Sequence, residues 1–116
     1  MKDPDRKDLF PGALEMMILQ TLARQPLHGY ALAQHIKQAS NDLLVIEEGS
    51  LYPALQRMLK ARLVKAQWRV SSTGRRVRAY EITAEGRKHL GREVSRFERM
   101  LEGIRLGLGP VDPATR

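Results

Sequence analysis

The sequence contains no cysteine, and this absence removes several classes of site at once. Without thiols, the chain has no disulfide framework, no thiolate metal site and no cysteine nucleophile. Long apolar runs are missing too, because no stretch approaches the roughly 18 consecutive apolar residues that a membrane span requires. Residues 1–12 alternate charged side chains and lack the apolar segment of a signal peptide. We therefore expect a soluble, cytoplasmic protein with no membrane partner.

The sequence also carries few groups suited to catalysis. Its histidines, His28, His35 and His89, are scattered, and neither an HExxH motif nor a Gly-rich phosphate loop occurs. A lone histidine in such a setting is more often a surface or turn residue than a metal ligand. We therefore expect no enzymatic activity, no metal and no other cofactor.

Positive charge is concentrated in one part of the chain, whose formal net charge is +7. Residues 1–48 have a net charge of −2, residues 49–80 hold eight basic and no acidic side chains, and residues 81–116 have a net charge of +1. A basic block between nearly neutral flanks indicates a surface for a polyanion. A basic face that is merely solvated is the alternative.

The 116 residues fit one domain, and the helical spacing of apolar residues predicts three helices in the first half. The first helix runs over residues 11–24 and is stopped by Pro26. The second follows a turn at residues 27–29 and continues its apolar series as far as Leu43. The segment 43–46 is β-branched at its end and is predicted to be a brief strand or an extended linker.

The third helix is predicted to begin near residue 49 or 50, because Pro53 fits only in or near a first turn. Its inward stripe consists of Leu51, Leu55, Met58 and Leu59. Its outward side carries Tyr52, Gln56, Arg57 and Lys60. The helix therefore presents a polar and basic face to the outside.

Alternating apolar side chains predict two strands, over residues 64–70 and 77–82. Pairing Trp68 with Tyr80 brings the two apolar faces together and leaves residues 73–75 as a short Gly-containing loop. The prediction is a basic β-hairpin with arginines at its tip.

Thr83 is a good N-cap for a fourth helix that extends to about Leu106. Its apolar residues are spaced by four, three, four, three and four positions: Leu90, Val94, Phe97, Leu101, Ile104 and Leu108. Such an a/d seam predicts a partner helix in a dimer, and packing on the first helix of the same chain is the alternative.

Three helices followed by a basic hairpin give the order of a winged helix-turn-helix, so the predicted fold class is mainly α with a small β-hairpin. The third helix of that fold fits a DNA major groove, and the wing lies along the backbone or an adjacent minor groove. The predicted parts are a flexible arm at residues 1–10, a winged helix-turn-helix DNA-binding domain at 11–82, a dimerisation helix at 83–106 and a disordered tail at 107–116.

The residues expected to contact DNA are Ser50, Tyr52, Gln56, Arg57 and Lys60 on the third helix, and Arg75, Arg76 and Arg78 on the wing. Gln56 can pair with adenine through two hydrogen bonds, and Ser50 near a helix N-terminus suits a phosphate. Two of these residues have an alternative role. The Tyr52 ring can cover the edge of the core, and Arg78 shares the face of Tyr80 and can pack its stem over the sheet.

Several motifs resemble one known family when taken together and in order. HGYALAQHIKQ, EEGSLYPALQRMLKARLVKAQW and GRRVRAYEITAEGRKHL are similar to elements of the PadR family of transcriptional regulators, over roughly residues 13–90. The resemblance implies a winged helix-turn-helix, a C-terminal helical region for dimerisation, and repression of neighbouring genes. It also implies that Tyr30, Ser50, Tyr52, Arg75 and Arg76 lie near DNA. By burial preference alone, Tyr30 is equally a core residue at a helix start.

The leading hypothesis is a homodimeric repressor that binds double-stranded operator DNA and regulates a neighbouring operon. Some relatives bind aromatic or amphiphilic molecules at the dimer interface, and Trp68, Phe97 and Met100 are candidates for such an effector pocket. The alternative is that these three residues belong to the core. From another functional class, a winged-helix module that binds acidic protein partners is the second hypothesis.

Overall fold

The computed structural model describes residues 12–116, so the predicted N-terminal arm at residues 1–10 lies outside the described residues. The elements in chain order are α1 (Ala13–Arg24), β1 (Leu27–His28), α2 (Gly29–Ala39), α3 (Glu48–Lys60), β2 (Val64–Val70), β3 (Arg76–Ile82), α4 (Ala84–Leu108) and a short 3-10 helix (Pro113–Thr115). The predicted class, mainly helical with a small sheet, is confirmed. Along residues 12–116 no helix combines the length and the apolar character needed to cross a membrane.

The core lies between the first three helices. Its largest fully buried side chains are Ile18, Leu19, Leu32, Leu51, Leu55 and Met58. Val64 and Tyr80 of the sheet and Leu90 of α4 close the cluster. Each such side chain contributes about 1.5–3 kcal/mol by leaving water, so this cluster is the main source of stability for the helices that carry the polar surface.

The second helix ends at Ala39, whereas the spacing of apolar residues predicted that it would continue to Leu43. Asn41 and Asp42 both adopt positive φ, and their amides donate to the carbonyls of Gln38 and Lys37. Asparagine tolerates this left-handed conformation, which satisfies the last carbonyls and ends the helix. Leu43 is consequently exposed, and the following residues form the extended linker rather than a strand.

The third helix begins at Glu48, one or two residues earlier than predicted, and Pro53 therefore lies just beyond its first turn. Glu48 in the first turn favours this early start, because a carboxylate is stabilised at a helix N-terminus. At the other end Arg62 has a φ of 62°, and the amides of Arg62 and Leu63 donate to the carbonyls of Leu59 and Met58. This left-handed cap turns the chain directly into β2.

The sheet has three strands in the order β1-β3-β2 rather than the two predicted. Residues 27–28, predicted as a turn, form β1 and pair with Tyr80 and Ala79 of β3. β2 and β3 form a hairpin, the wing. Two residues are too few to show alternation, so β1 left no pattern in the sequence.

The register of the wing differs by two residues from the prediction, because Tyr80 lies opposite Ala66 and Trp68 lies opposite Arg78. Gly74 explains the difference. It has a φ of 81° and donates to the Ser71 carbonyl, while the Ser71 amide donates to the Arg75 carbonyl. A three-residue loop ends on a left-handed residue, usually glycine, so the loop is residues 72–74.

The fourth helix is joined closely to the start of the wing. Thr83 caps it as predicted, since its hydroxyl accepts from the Gly86 amide at 3.0 Å. The Thr83 amide also donates to the Leu63 carbonyl at 3.0 Å. A Cβ on Gly86 would overlap that same carbonyl oxygen, so only glycine permits this approach. The helix continues to Leu108, slightly beyond the predicted end, and disorder of the tail remains a prediction.

Candidate nucleic-acid interface

Helix α3 has one buried side and one exposed side. Leu51, Ala54, Leu55 and Met58 are buried against the core. The opposite side carries Pro53, Gln56 and Lys60, all exposed. Gln56 and Lys60 are one turn apart, so both can face the same groove of a nucleic acid. Ser50 and Arg57, also exposed, lie beside this row.

An open groove of about 560 Å³ separates the start of α2 from the wing. It is lined by His28, Gly29, Tyr30, Tyr52, Ser71, Ser72, Thr73, Arg75, Arg76, Val77, Arg78 and Tyr80. Five of the nine residues predicted to contact DNA therefore share one concave surface. The remaining four, Ser50, Gln56, Arg57 and Lys60, are on α3 outside its lining.

Tyr30 is 64% exposed, so it is not a core residue. It follows the start of α2, where the Nδ1 of His28 accepts a hydrogen bond from the Ala31 amide at 3.4 Å. This cap gives His28 a structural role at the beginning of the helix. The Tyr30 ring is left to face the groove.

Tyr52 both covers the core edge and reaches the surface. A Cβ on Gly29 would lie 2.9 Å from the Tyr52 hydroxyl, so glycine lets the ring approach the α2 backbone. The ring is still 41% exposed. It also lies close to Tyr80. The pKa of Tyr80 is raised above its ordinary value, chiefly because the phenol is buried; the charge of Arg78 opposes this rise in pKa, and Tyr52 adds to it. The two phenols and one arginine therefore connect α3 to the wing.

Arg57 is paired within the chain. Its guanidinium donates to a carboxylate oxygen of Glu15 in α1, and Glu15 is the more buried partner. The pair occupies part of the donor capacity of Arg57 and offsets its charge. Sequence reasoning missed this pairing because Glu15 and Arg57 are far apart in the chain.

The wing arginines lie over aromatic rings. The Arg76 guanidinium carbon is 4.9 Å from the centre of the Trp68 ring, and that of Arg78 is 5.9 Å from the centre of the Tyr80 ring. Arg78 thus lies on the same face of the wing as Tyr80 and over its ring, in agreement with the alternative role in which it packs over the sheet. It also lines the groove, so packing over the ring and facing a ligand are compatible.

The six residues of the predicted seam on α4 fall into two groups. Leu90 is only 8% exposed and Val94 packs against the core of the same chain, so the packing alternative holds for this end. Leu101, Ile104 and Leu108 are exposed, and Phe97 is half-buried between the two groups. The apolar surface free to meet another chain therefore begins near Phe97.

The three candidate effector residues are not together. Phe97 and Met100 line a cavity of about 450 Å³ between α4 and the start of α1, with Met16 on its other side. Trp68 lies on the wing under Arg76 and has no part in this cavity. Glu93, Arg96 and Arg99 also line the cavity, so its lining combines charged and apolar side chains.

Comparison with known proteins shows what this chain resembles. A sequence model of the transcriptional regulator PadR-like family matches residues 18–92. A protein of Lysinibacillus sphaericus is 30% identical over 101 residues, which are 87% of this chain and 93% of that protein.

Solved structures agree with that match. A transcriptional regulator from Clostridium thermocellum is 28% identical, with a TM-score of 0.77 over 84% of this chain and 95% of its own. A PadR-like transcriptional regulator from Bacillus cereus is 27% identical, with a TM-score of 0.74 over 87% of this chain and 96% of its own.

Proposed function

Because this chain belongs to the PadR-like family of transcriptional regulators, we propose that it is a homodimeric repressor of a pseudo-palindromic operator in double-stranded DNA. In this proposal α3 enters the major groove and the wing contacts the neighbouring backbone or minor groove. The observation that carries it is the shared groove, in which Tyr30, Tyr52 and three wing arginines meet. No carboxylate occurs between residues 49 and 80 to oppose DNA there.

The residues of α3 have different roles in this proposal. Gln56 and Lys60 point away from the core and read base edges, since glutamine can pair with adenine through two hydrogen bonds. Ser50, in the first turn of α3, contacts a phosphate. Arg57 contributes less than its charge suggests, because Glu15 already engages its guanidinium.

The second copy is proposed to cover the exposed end of α4. Phe97, Leu101, Ile104 and Leu108 give that end an apolar stripe with the spacing of helix-to-helix contacts. Exposed apolar stripes of this kind are costly in water. A two-fold dimer would place the two α3 helices on half-sites about one helical turn of DNA apart, roughly 34–36 Å.

A small-molecule effector belongs in the cavity between α4 and α1. Its lining combines the apolar side chains of Phe97 and Met100 with charged side chains, so an amphiphilic or aromatic compound suits it. The cavity adjoins the proposed dimer surface. A ligand bound there would alter how the two copies meet, and through them the separation of the α3 helices.

The test is a binding titration on DNA upstream of the gene, located by footprinting and repeated at several salt concentrations. Phosphate contacts release counterions, so affinity should fall by about 10³-fold or more between 50 and 200 mM salt. Gln56→Ala should relax sequence preference, whereas Arg75→Ala should weaken binding to all duplexes alike. An almost flat salt dependence, or equal losses for both variants on operator and random DNA, would contradict the proposal.

A further inference from the structure

Arginines and aromatic rings are side by side on one face of the wing. Trp68 and Arg78 are opposite each other, and Val70 is opposite Arg76, so the four side chains share that face. Arg76 reaches diagonally across the strands to stack over Trp68. Diagonal neighbours of a twisted hairpin are within reach of long and aromatic side chains. Trp68 is nevertheless 60% exposed, so burial does not explain its place.

The contact with the Trp68 ring leaves Arg76 in a different state from Arg57 and Arg75. A guanidinium over an indole face keeps all its N–H donors, which lie in its own plane, and loses side-chain freedom before any ligand binds. In Arg57, by contrast, one N–H donor already forms a hydrogen bond with Glu15. Arg75, in contrast, makes no ring contact within residues 12–116. Among the described residues, Arg76 thus combines free donors with the closer ring contact, 4.9 Å against 5.9 Å for Arg78 over Tyr80.

The surroundings of Arg76 also favour one part of DNA over another. Val70, its direct partner, is largely exposed, and Trp68 adds a second apolar surface. A cation held on an apolar surface has already lost part of its water, and that suits a narrow groove better than an open phosphate. Minor grooves of A·T-rich tracts are narrow and have a strong negative potential that attracts inserted arginine.

From these contacts we infer that Trp68 is a positioning residue, which holds Arg76 for insertion into a narrow, A·T-rich minor groove beside each half-site. This inference rests on the proposed function, since it requires that the wing meets DNA. It assigns a preference for flanking sequence to the wing, separate from the bases read by α3. Trp68 itself need not touch DNA.

The test compares the affinities of full-length protein for two duplexes with identical footprinted half-sites, one with A·T-tract flanks and one with G·C-rich flanks. Wild type should prefer the A·T flanks. Trp68→Leu should lower the ratio of the two affinities by about two- to fivefold, the range expected from losing one exposed cation–π contact. Trp68→Phe, which keeps a ring, should retain most of the preference. Circular dichroism checks that both variants fold.

A double-mutant cycle separates positioning from a direct role. If Trp68 acts through Arg76, Arg76→Ala should remove the flank preference, and adding Trp68→Leu to it should change nothing further. Additive losses in the double variant would overturn the inference, as would an unchanged ratio in Trp68→Leu or an equal loss on both duplexes. Failure of wild type to bind any operator would instead overturn the proposed function.

Discussion

The two ends of α4 carry the same apolar spacing and have opposite surroundings. In residues 84–94, Leu90 is buried and Val94 packs against the core formed with α1. In residues 95–108, Leu101 and Ile104 are each 45% exposed. The first group therefore stabilises the single chain. The second group contributes little to it and is available to a partner.

The difference teaches that a repeating stripe identifies the side of a helix that will be covered, not what covers it. The first turns of α4 lie beside α1 because Thr83 and Gly86 fix them against the carbonyl of Leu63. Phe97 and Met100 still share a cavity with the start of α1, whereas Leu101, Ile104 and Leu108 are exposed. The apolar stripe therefore continues along the part of α4 that α1 does not cover.

The largest effect is expected from a charge at the buried end. Leu90→Asp removes a core side chain and buries a carboxylate, which should cost at least about 3 kcal/mol of unfolding free energy. Thermal unfolding followed by circular dichroism should show loss or strong weakening of the cooperative transition. Leu108→Asp, the same change at the exposed end, is the matched control and should leave the single chain folded. Equal destabilisation by both would erase the contrast between the two ends.

A charge at the exposed end should separate the copies without unfolding them. Ile104→Asp places a carboxylate in both halves of the proposed contact, at about 1–3 kcal/mol each, so dimer affinity should fall about 30-fold or more. Sedimentation should then find monomers at micromolar concentration, with operator binding reduced to the non-specific level. Leu106→Asp, an exposed leucine outside the stripe, is the control. A variant that stayed dimeric would place the contact elsewhere.

Val94 is less suitable for this purpose than its position in the stripe suggested. Because its side chain packs against the core, a charge there would disturb folding and association together. The exposed residues Leu101, Ile104 and Leu108 are the positions of the stripe that can report on the partner alone.

Two glycines of α4, Gly86 and Gly91, should give the smallest changes in stability when they are substituted. Gly86→Ala forces a Cβ onto the Leu63 carbonyl and should cost about 1–3 kcal/mol of stability. Gly91→Ala, where nothing lies within 4 Å, should instead stabilise α4 by about 0.5–1 kcal/mol. Chemical denaturation of the two variants measures both signs. A gain from Gly86→Ala would mean that the close approach is not required.

Local patterns predicted most of the fold, because each helix of the core has its own apolar period and its own start or stop residue. The exceptions are contacts between segments distant in sequence. β1 exists because the two residues Leu27 and His28 meet β3, and no local pattern marks them. The wing register depended on one backbone angle at Gly74, which spacing alone cannot assign between neighbouring loop positions.

The candidate site was predictable by residue type and not by arrangement. Basic side chains between residues 49 and 80 indicated a surface for DNA, and five of the nine chosen residues share the groove. Sequence could not reveal that Glu15 engages Arg57 or that Trp68 supports Arg76, because both pairs form only after folding. Trp68 was grouped with Phe97 by chemistry, whereas the fold assigns it to the wing.

The junction at Thr83 couples the direction of α4 to the position of the wing tip. The hydrogen bonds from Thr83 and the close fit of Gly86 join the base of the wing to the start of α4, leaving no hinge between them. A seven-residue strand is about 23 Å long, so a rotation of about 10° at this joint would carry the wing tip about 4 Å. That displacement is roughly one base step of DNA, about 3.4 Å. A change of about 10° in the direction of α4 would thus shift the wing tip by about one base step along the operator.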